Sequence, residues 1–147
     1  MGRVYLIAIF LLLVSCSGGI DRIATYEMEN GEYSISLELF HSGLILAEYE
    51  RDLVIAHNGV EIIRKRLFPD TGGYTSSNLY RCDSGIYSVK GYFDSWIVNF
   101  RDGEITEGGC KGDASLFIGS FQGVGSEEWK FYTASQRKEP ILKAGGG

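Results

Sequence analysis

The sequence predicts an all-β protein, folded as a single antiparallel β-barrel or as a two-sheet sandwich of about nine short strands with one disulfide. Turn-forming pairs such as Asn30-Gly31, Asn58-Gly59 and Asp102-Gly103 recur at intervals of about 8–12 residues. The segments between these turns alternate apolar and polar side chains. No stretch after residue 20 carries the apolar stripe of a convincing helix. Closing the sheet or pairing two sheets would protect the strand edges.

The alternation is clearest in three segments of the chain. Their apolar faces comprise Tyr33-Ile35-Leu37-Leu39, Trp96-Val98-Phe100 and Trp129-Phe131-Thr133. In the first segment the opposite face carries Ser34, Ser36 and Glu38. A period of two with one apolar face predicts an antiparallel sheet that is wet on one side.

The segment 44–55 allows two interpretations, a helix or a pair of strands. Arg51-Asp52 separates two aliphatic runs within it. Charged residues at such a position favour a hairpin turn over a helix. The sequence therefore predicts a turn at Arg51-Asp52.

The N-terminal residues have the pattern of a secretion signal. Arg3 precedes an apolar run, 4–14, that is shorter than the roughly 20 residues of a membrane-spanning helix. The run ends in Leu13-Val14-Ser15-Cys16, which resembles the lipobox of bacterial lipoproteins. The resemblance implies cleavage before Cys16, which then carries a diacylglycerol and an amide-linked acyl chain. An ordinary cleaved signal or an uncleaved anchor is the alternative.

These features divide the chain into four parts. Residues 1–15 form the cleaved signal peptide, 16–20 the lipidated cysteine and a short tether, 21–138 the β domain, and 139–147 a flexible tail. By the same resemblance, the protein is attached to the membrane of the bacterial cell envelope through its N-terminal lipid. Ser17, rather than an aspartate, follows the cysteine and favours the outer membrane, facing the periplasm.

The cysteine count agrees with export. Lipidation uses Cys16, so Cys82 and Cys110 remain as a pair in an oxidising compartment. Metal binding by the two thiols is the alternative, but further ligands at close spacing are lacking. We therefore predict a disulfide between Cys82 and Cys110.

The charge balance restricts the partners. The chain has 14 basic and 19 acidic residues, a net charge of −5. Nucleic acids favour basic surfaces, so no nucleic-acid partner is expected. A basic protein partner is compatible with this balance, although acidic surfaces also serve solubility.

We find no convergent catalytic or metal-binding set in the sequence. His41 and His57 lie at or beside predicted turns, where neither is positioned as a base or a ligand. The other candidates are Ser135 with Lys138, Glu104 with Glu107, Glu127 with Glu128, and the acidic run from Asp102 to Asp113. We therefore predict a protein that is not an enzyme and has no metal or cofactor. A small envelope hydrolase is the less favoured alternative.

The aromatic residues indicate a binding surface more clearly. Tyr92 and Tyr132 fall on faces opposite to the apolar ones, where exposed tyrosines can form a binding patch. Packing across neighbouring strands is the alternative role.

The segment Tyr80-Arg81-Cys82-Asp83-Ser84-Gly85 resembles the Tyr-x-Cys-Asp-x-Gly segment of the membrane-bound C-type lysozyme inhibitors. Those proteins are small, lipid-anchored β-barrels with a disulfide, and their inhibitory loop is rich in Ser and Gly. Here Gly123-Val124-Gly125-Ser126 resembles that loop, which implies binding roles for Ser126 and Lys130. About sixty residues of strand-like sequence precede the segment in this chain, unlike in the family. The overall prediction is a lipid-anchored binding or accessory module for a protein or glycan partner, with lysozyme inhibition as an alternative.

Overall fold

The computed structural model describes residues 19–28, 30–42, 48–71, 76–111, 115–123 and 128–140. Within these residues the chain contains strands and turns and no helix, so no described helix could cross a membrane. The eleven strands are β1 (Arg22–Glu27), β2 (Tyr33–His41), β3 (Glu48–His57), β4 (Val60–Arg66), β5 (Asp70–Thr71), β6 (Ser77–Asp83), β7 (Ile86–Lys90), β8 (Ser95–Asn99), β9 (Glu104–Glu107), β10 (Leu116–Gln122) and β11 (Lys130–Thr133).

The strands form two antiparallel sheets. Sheet A has the order β1-β2-β3-β4, with the two-residue β5 also paired to β3, and sheet B has the order β11-β10-β6-β7-β8-β9. The edge strand β1 lies beside β10 and β11, and β4 lies beside β9. The sheets are not closed into a barrel, and this arrangement fits a two-sheet sandwich. The all-β prediction is confirmed, although the described residues hold eleven strands instead of about nine.

The core lies between the inner faces of the two sheets. Its buried apolar residues are Ala24, Ile35, Leu37, Leu39, Leu53, Ile55, Leu67, Leu79, Tyr87, Val89, Val98, Phe121 and Trp129. Full burial of a leucine or isoleucine side chain contributes roughly 1.5–3 kcal/mol. The apolar face predicted for β2 is therefore confirmed, and Trp96, Phe100 and Phe131 pack against this core as expected.

Several predicted turns are confirmed by their backbone angles. Asn58 and Gly59 join β3 to β4 with φ of 50° and 76°, the left-handed conformation that tight hairpins require. Ser84-Gly85 joins β6 to β7, and the carbonyl of Gly85 accepts from the amide N–H of Phe100. The ring of Phe100 lies 4.9 Å from that of Tyr33, which starts β2 and pairs with His57 beside the Asn58-Gly59 turn. These turns thus share one end of the sandwich, which we call the far end.

The opposite end is the one at which β1 begins. There Arg22 pairs with Leu39, and the amide N–H of Asp21 donates to the carbonyl of Leu39. The register of β2 and β3 places His41 beside Tyr49, which in turn pairs with Asp70 of β5. We call this end, where the chain enters the domain, the tether end.

The predicted turn at Arg51-Asp52 is wrong. Strand β3 runs without interruption through both residues, which are 1% and 4% exposed. Successive side chains leave opposite faces of a strand, so Arg51 points into the sandwich and Asp52 points to the outer face. Each charge meets an opposite charge there, which allows both to be buried in a strand.

The prediction of a wet outer face is also wrong for the middle of sheet A. On β2, Ser36 and Glu38 are only 8% and 5% exposed. Arg64 on β4 donates to the carboxylates of Glu38, Asp52 and Glu61, at 2.6, 3.1 and 2.6 Å. The hydrogen bonds that Arg64 donates to Glu61 and then to Glu38 hold the pKa of Arg64 above its ordinary value. A network of ion pairs thus buries polar side chains that the alternating pattern predicted to be exposed to solvent.

The predicted disulfide is confirmed. Cys82 near the end of β6 is bonded to Cys110 in the segment after β9, with their Cα atoms 5.2 Å apart. The bond fixes residues 108–110 close to sheet B. The disulfide therefore holds this segment against the outer face of the sheet.

The chain after β11 turns back onto the outer face of sheet B. The amide N–H groups of Gln136 and Arg137 donate to the carbonyl of Thr133, which forms the turn. Glu139 and Pro140, assigned by the sequence to a flexible tail, then hydrogen-bond to residues of β6. Residues 141–147 of that predicted tail lie outside the described part of the chain.

Candidate functional site

A groove of about 850 Å³ lies on the outer face of sheet B. Strands β6 and β7 contribute to it, as do the β7–β8 loop, the segment beside the disulfide and the C-terminal segment. Its lining residues are Tyr80, Ser88, Lys90, Gly91, Tyr92, Phe93, Asp94, Ser95, Glu107, Gly108, Gly109, Cys110, Ser115 and Glu139. We call it the sheet B groove.

The alternation of two central strands builds the groove. Leu79 on β6 and its partner Val89 on β7 are fully buried in the core. Tyr80 and Ser88, the next pair in the register, therefore leave the sheet on the outer side. Lys90, two residues beyond Ser88, lies on the same side and is exposed.

The C-terminal segment forms one wall. The hydroxyl of Tyr80 donates to the Glu139 carboxylate at 2.5 Å, and the amide of Asn78 donates to the Pro140 carbonyl at 3.1 Å. Burial and the hydrogen bond with Glu139 raise the pKa of Tyr80 to about 12. The hydroxyl is thus protonated at neutral pH and holds the segment in place as a donor.

The loop between β7 and β8 forms the wall at the tether end. The amide N–H of Gly91 donates to the carbonyl of Asp94, which closes the loop around Tyr92 and Phe93. A Cβ atom at Gly91 would collide with the Asp94 carboxylate and the Arg51 guanidinium. The loop therefore requires a glycine at this position.

A buried carboxylate fixes this loop to the body. Asp94, whose side chain is 5% exposed, lies 3.4 Å from the guanidinium of Arg51. It also accepts hydrogen bonds from the indole N–H of Trp96 at 2.9 Å and the amide N–H of Phe68 at 3.0 Å. Arg51 further donates to the hydroxyl of Ser77 at 3.0 Å. We call Arg51 and Asp94 the buried ion pair; it connects the two sheets and holds the groove loop rigidly.

The groove offers aromatic surface and charge for binding. Tyr92 is partly buried and Phe93 is 50% exposed, with their ring centroids 6.3 Å apart. The exposed residues Lys90 and Glu139 supply one positive and one negative charge around them. Glu107 also lines the groove, but its register partner Trp96 packs against the core, so the Glu107 side chain leaves the other face of sheet B. Aromatic rings with a few charges at the margin can hold a sugar ring or an apolar side chain beside a polar group. Among the described residues, no three His, Cys, Asp or Glu side chains are grouped to hold a metal ion.

Of the predicted binding residues that the structure describes, only Tyr92 lies in the groove. Tyr132 lies on β11, three strand spacings or about 14 Å from β7. The Lys130 ammonium and the Arg137 guanidinium stack on its ring, with distances of 5.2 and 3.9 Å to the centroid. Tyr132 and Lys130 thus form a separate cluster at the edge of sheet B. Ser126 and Cys16 lie outside the described residues.

The candidates for chemistry are not brought together. The ring of His41 contacts Tyr49 at the tether end, and that of His57 stacks on Tyr33 at the far end. Tyr33 and His41 are eight residue steps apart along β2, or about 27 Å, so the two histidines cannot share a metal ion. Glu104 and Glu107 are three apart on one strand, and their side chains leave opposite faces.

Sequence analysis missed three residues that shape the groove. The sequence indicates no binding role for Asp94, includes Tyr80 only in a family resemblance and places Glu139 in the predicted tail. The sequence signal for Asp94 is its place in the short loop that begins at Gly91. An aspartate that is buried in such a short loop needs a partner of opposite charge. No local pattern indicates the contact between Tyr80 and Glu139, which are 59 residues apart.

No protein-family model, curated protein or solved structure matches the chain. The function is therefore inferred from the chemistry of the groove and from the sequence.

Proposed function

We propose that this protein is a lipid-anchored, non-enzymatic binding module of the bacterial cell envelope, and that the sheet B groove takes a protein or glycan partner. The observation that carries the proposal is the groove itself: Tyr92 and Phe93 stand beside Lys90 and Glu139 in an open depression of about 850 Å³. The rigid loop that presents the two rings reduces the ordering cost of binding.

The leader supports the place of action. Leu13-Val14-Ser15-Cys16 resembles a lipobox, and lipidation of Cys16 with two or more acyl chains would give stable membrane attachment. The disulfide between Cys82 and Cys110 is compatible with an oxidising compartment such as the periplasm. Ser17 favours the outer membrane.

The charges of the groove favour a particular partner chemistry. The Glu139 carboxylate lines the groove and can accept a cationic group, and the Lys90 ammonium lies at its margin. The whole chain is also acidic, with a net charge of −5. A partner segment that carries a cationic group, such as a lysine or arginine side chain or an amino sugar, is electrostatically complementary to this groove. Stacking on Tyr92 would add to the affinity.

The anchor is tested by the substitution Cys16→Ala. Without the thiol no thioether-linked lipid can form, so unprocessed precursor that lacks acyl chains is expected to accumulate. Intact-mass spectrometry of the membrane-associated protein measures both changes. Ser17→Ala is the matched control, because it keeps the cysteine and should be acylated and cleaved. A Cys16→Ala protein with the normal acyl mass would refute the anchor.

The groove is tested by the substitution Tyr92→Ala. Loss of a central aromatic contact is expected to weaken partner binding about tenfold or more, a change of roughly 1.4 kcal/mol. Partners are first identified by crosslinking mass spectrometry on native membranes, and affinity is then measured with the purified partner. Tyr132→Ala is the matched control because that tyrosine lies outside the groove. Unchanged binding by Tyr92→Ala together with lost binding by Tyr132→Ala would contradict the proposed site.

Lysozyme belongs among the baits in this experiment. Tyr80, the first residue of the segment that resembles the lysozyme inhibitors, lines the groove. Inhibition that is lost on Tyr92→Ala would identify lysozyme as the partner. Inhibition that is unchanged would place that activity elsewhere on the chain.

A further inference from the structure

The tether end presents apolar side chains to solvent. Phe68 and Phe93 are 51% and 50% exposed, and their ring centroids lie 5.8 Å apart. Ile20, where the described chain begins to enter the domain, is 49% exposed. Phe68 and Phe93 thus form a small exposed apolar patch, which is available for contact with a protein or a membrane.

The backbone that carries the two rings is hydrogen-bonded to the buried ion pair. The Asp94 carboxylate accepts from the amide N–H of Phe68, and Arg51 donates to the carbonyl of Phe68 at 3.3 Å. Phe93 precedes Asp94 directly and is therefore fixed by the same buried ion pair. The apolar pair is thus a built feature of the tether end, supported from both sheets.

Register places the rings at the tether end, where the described chain begins. Arg22, Leu39 and Arg51 form one level across sheet A, and the amide N–H of Leu67 donates to the carbonyl of Arg51 at that level. Phe68 follows Leu67 and therefore lies towards the end at which the tether enters. The far end is about 30 Å away, the length of β2.

The tether is too short to move the domain away from a membrane. Four peptide steps separate Cys16 from Ile20, so their Cα atoms are at most about 14 Å apart. With its lipid in the bilayer, the chain would keep the tether end at the surface. The described charges at this end have both signs, with Arg22 and Lys90 against Asp21 and Glu48. Apolar contact would therefore dominate over attraction to anionic lipids.

We propose that the tether end rests on the bilayer and that Phe68 and Phe93 insert into its interfacial region as a second attachment. This inference rests on the lipid anchor of the proposed function. Phe93 also lines the sheet B groove, so the groove would lie close to the membrane surface, and Tyr92 would remain as its aromatic contact with the partner. Its partner would then be bound beside the bilayer.

Site-specific fluorescence tests the orientation. Phe93→Cys is labelled with an environment-sensitive fluorophore in the full, acylated protein and reconstituted into phosphatidylcholine vesicles. Cys82 and Cys110 are joined and leave the new thiol as the site of labelling. Val60→Cys is the matched control, since Val60 is 66% exposed at the far end. Phe68→Cys serves as a second variant if Phe93→Cys does not fold.

The expected result is a blue-shifted emission at position 93, and at position 68, with several-fold stronger quenching by lipids spin-labelled near the headgroup than at position 60. Raising the salt concentration should leave this difference in place. Equal quenching at both ends, or none at position 93, would overturn the inference. The acyl mass of the same preparation separates the two proposals: unacylated protein refutes the anchor and with it this inference, whereas acylated protein without quenching at position 93 refutes this inference alone.

Discussion

Replacement of Asp94 by alanine is expected to lower the free energy of unfolding by about 3–5 kcal/mol. The substitution leaves the guanidinium of Arg51, 1% exposed, without its opposite charge at 3.4 Å. It also removes the acceptor of the Trp96 indole N–H and of the Phe68 amide N–H. An uncompensated buried charge and two lost hydrogen bonds add in the same direction.

Urea unfolding followed by circular dichroism measures this loss. Glu104→Ala is the matched control, because that carboxylate is exposed on the edge strand β9 and should change stability by less than about 0.5 kcal/mol. The double variant Arg51→Met with Asp94→Leu should recover part of the loss, since it removes both charges. A loss below about 1 kcal/mol in Asp94→Ala would show that the buried ion pair does not hold the sheets together.

Removal of the disulfide is expected to cost about 3.5 kcal/mol. Cys82 and Cys110 are 28 residues apart, and the bond restricts the unfolded chain over that loop. Replacement of both cysteines by serine should therefore lower the urea midpoint without a change in the all-β circular dichroism spectrum. The segment beside the groove would also lose its attachment to β6.

The control is the unsubstituted protein unfolded in the presence of a reductant, which should match the double serine variant. A double variant as stable as the oxidised protein would contradict the expected contribution. So would a reductant effect that persists in the double variant.

Local backbone chemistry made much of the fold predictable. Asn58-Gly59 adopts the left-handed angles of a hairpin turn because asparagine and glycine tolerate them better than other residues. The alternation in Tyr33–His41 likewise identified the buried face of β2, because a strand side chain has only two sides to choose from. Signals of this kind are contained within a few residues.

The errors arose where distant residues decide the outcome. Arg51-Asp52 resembles a turn because two adjacent charges rarely lie in the middle of a buried strand. In the folded chain Asp94 compensates the first and Arg64 the second, from 43 and 12 residues away. Neither partner is visible from the local pattern, so the sequence assigned both charges to solvent.

The residues of the candidate site likewise divide into those that a local pattern predicts and those whose surroundings depend on the folded chain. Tyr92 could be identified because the alternating pattern places it on the face opposite to the apolar one, and that pattern needs no distant partner. Tyr132 follows the same rule and is indeed on the outer face of its strand, but Arg137 stacks on its ring. Only the tertiary arrangement separates the tyrosine of the groove from the tyrosine of the edge.

Photo-crosslinking from position 92 tests whether the sheet B groove binds a partner. A photoreactive phenylalanine analogue replaces Tyr92 in the acylated protein on native membranes, and the same analogue at Val60 on the far end is the control. We expect one specific protein or glycan adduct from position 92 and none from position 60. The same adduct from both positions, or adducts from position 60 alone, would contradict a binding groove on sheet B.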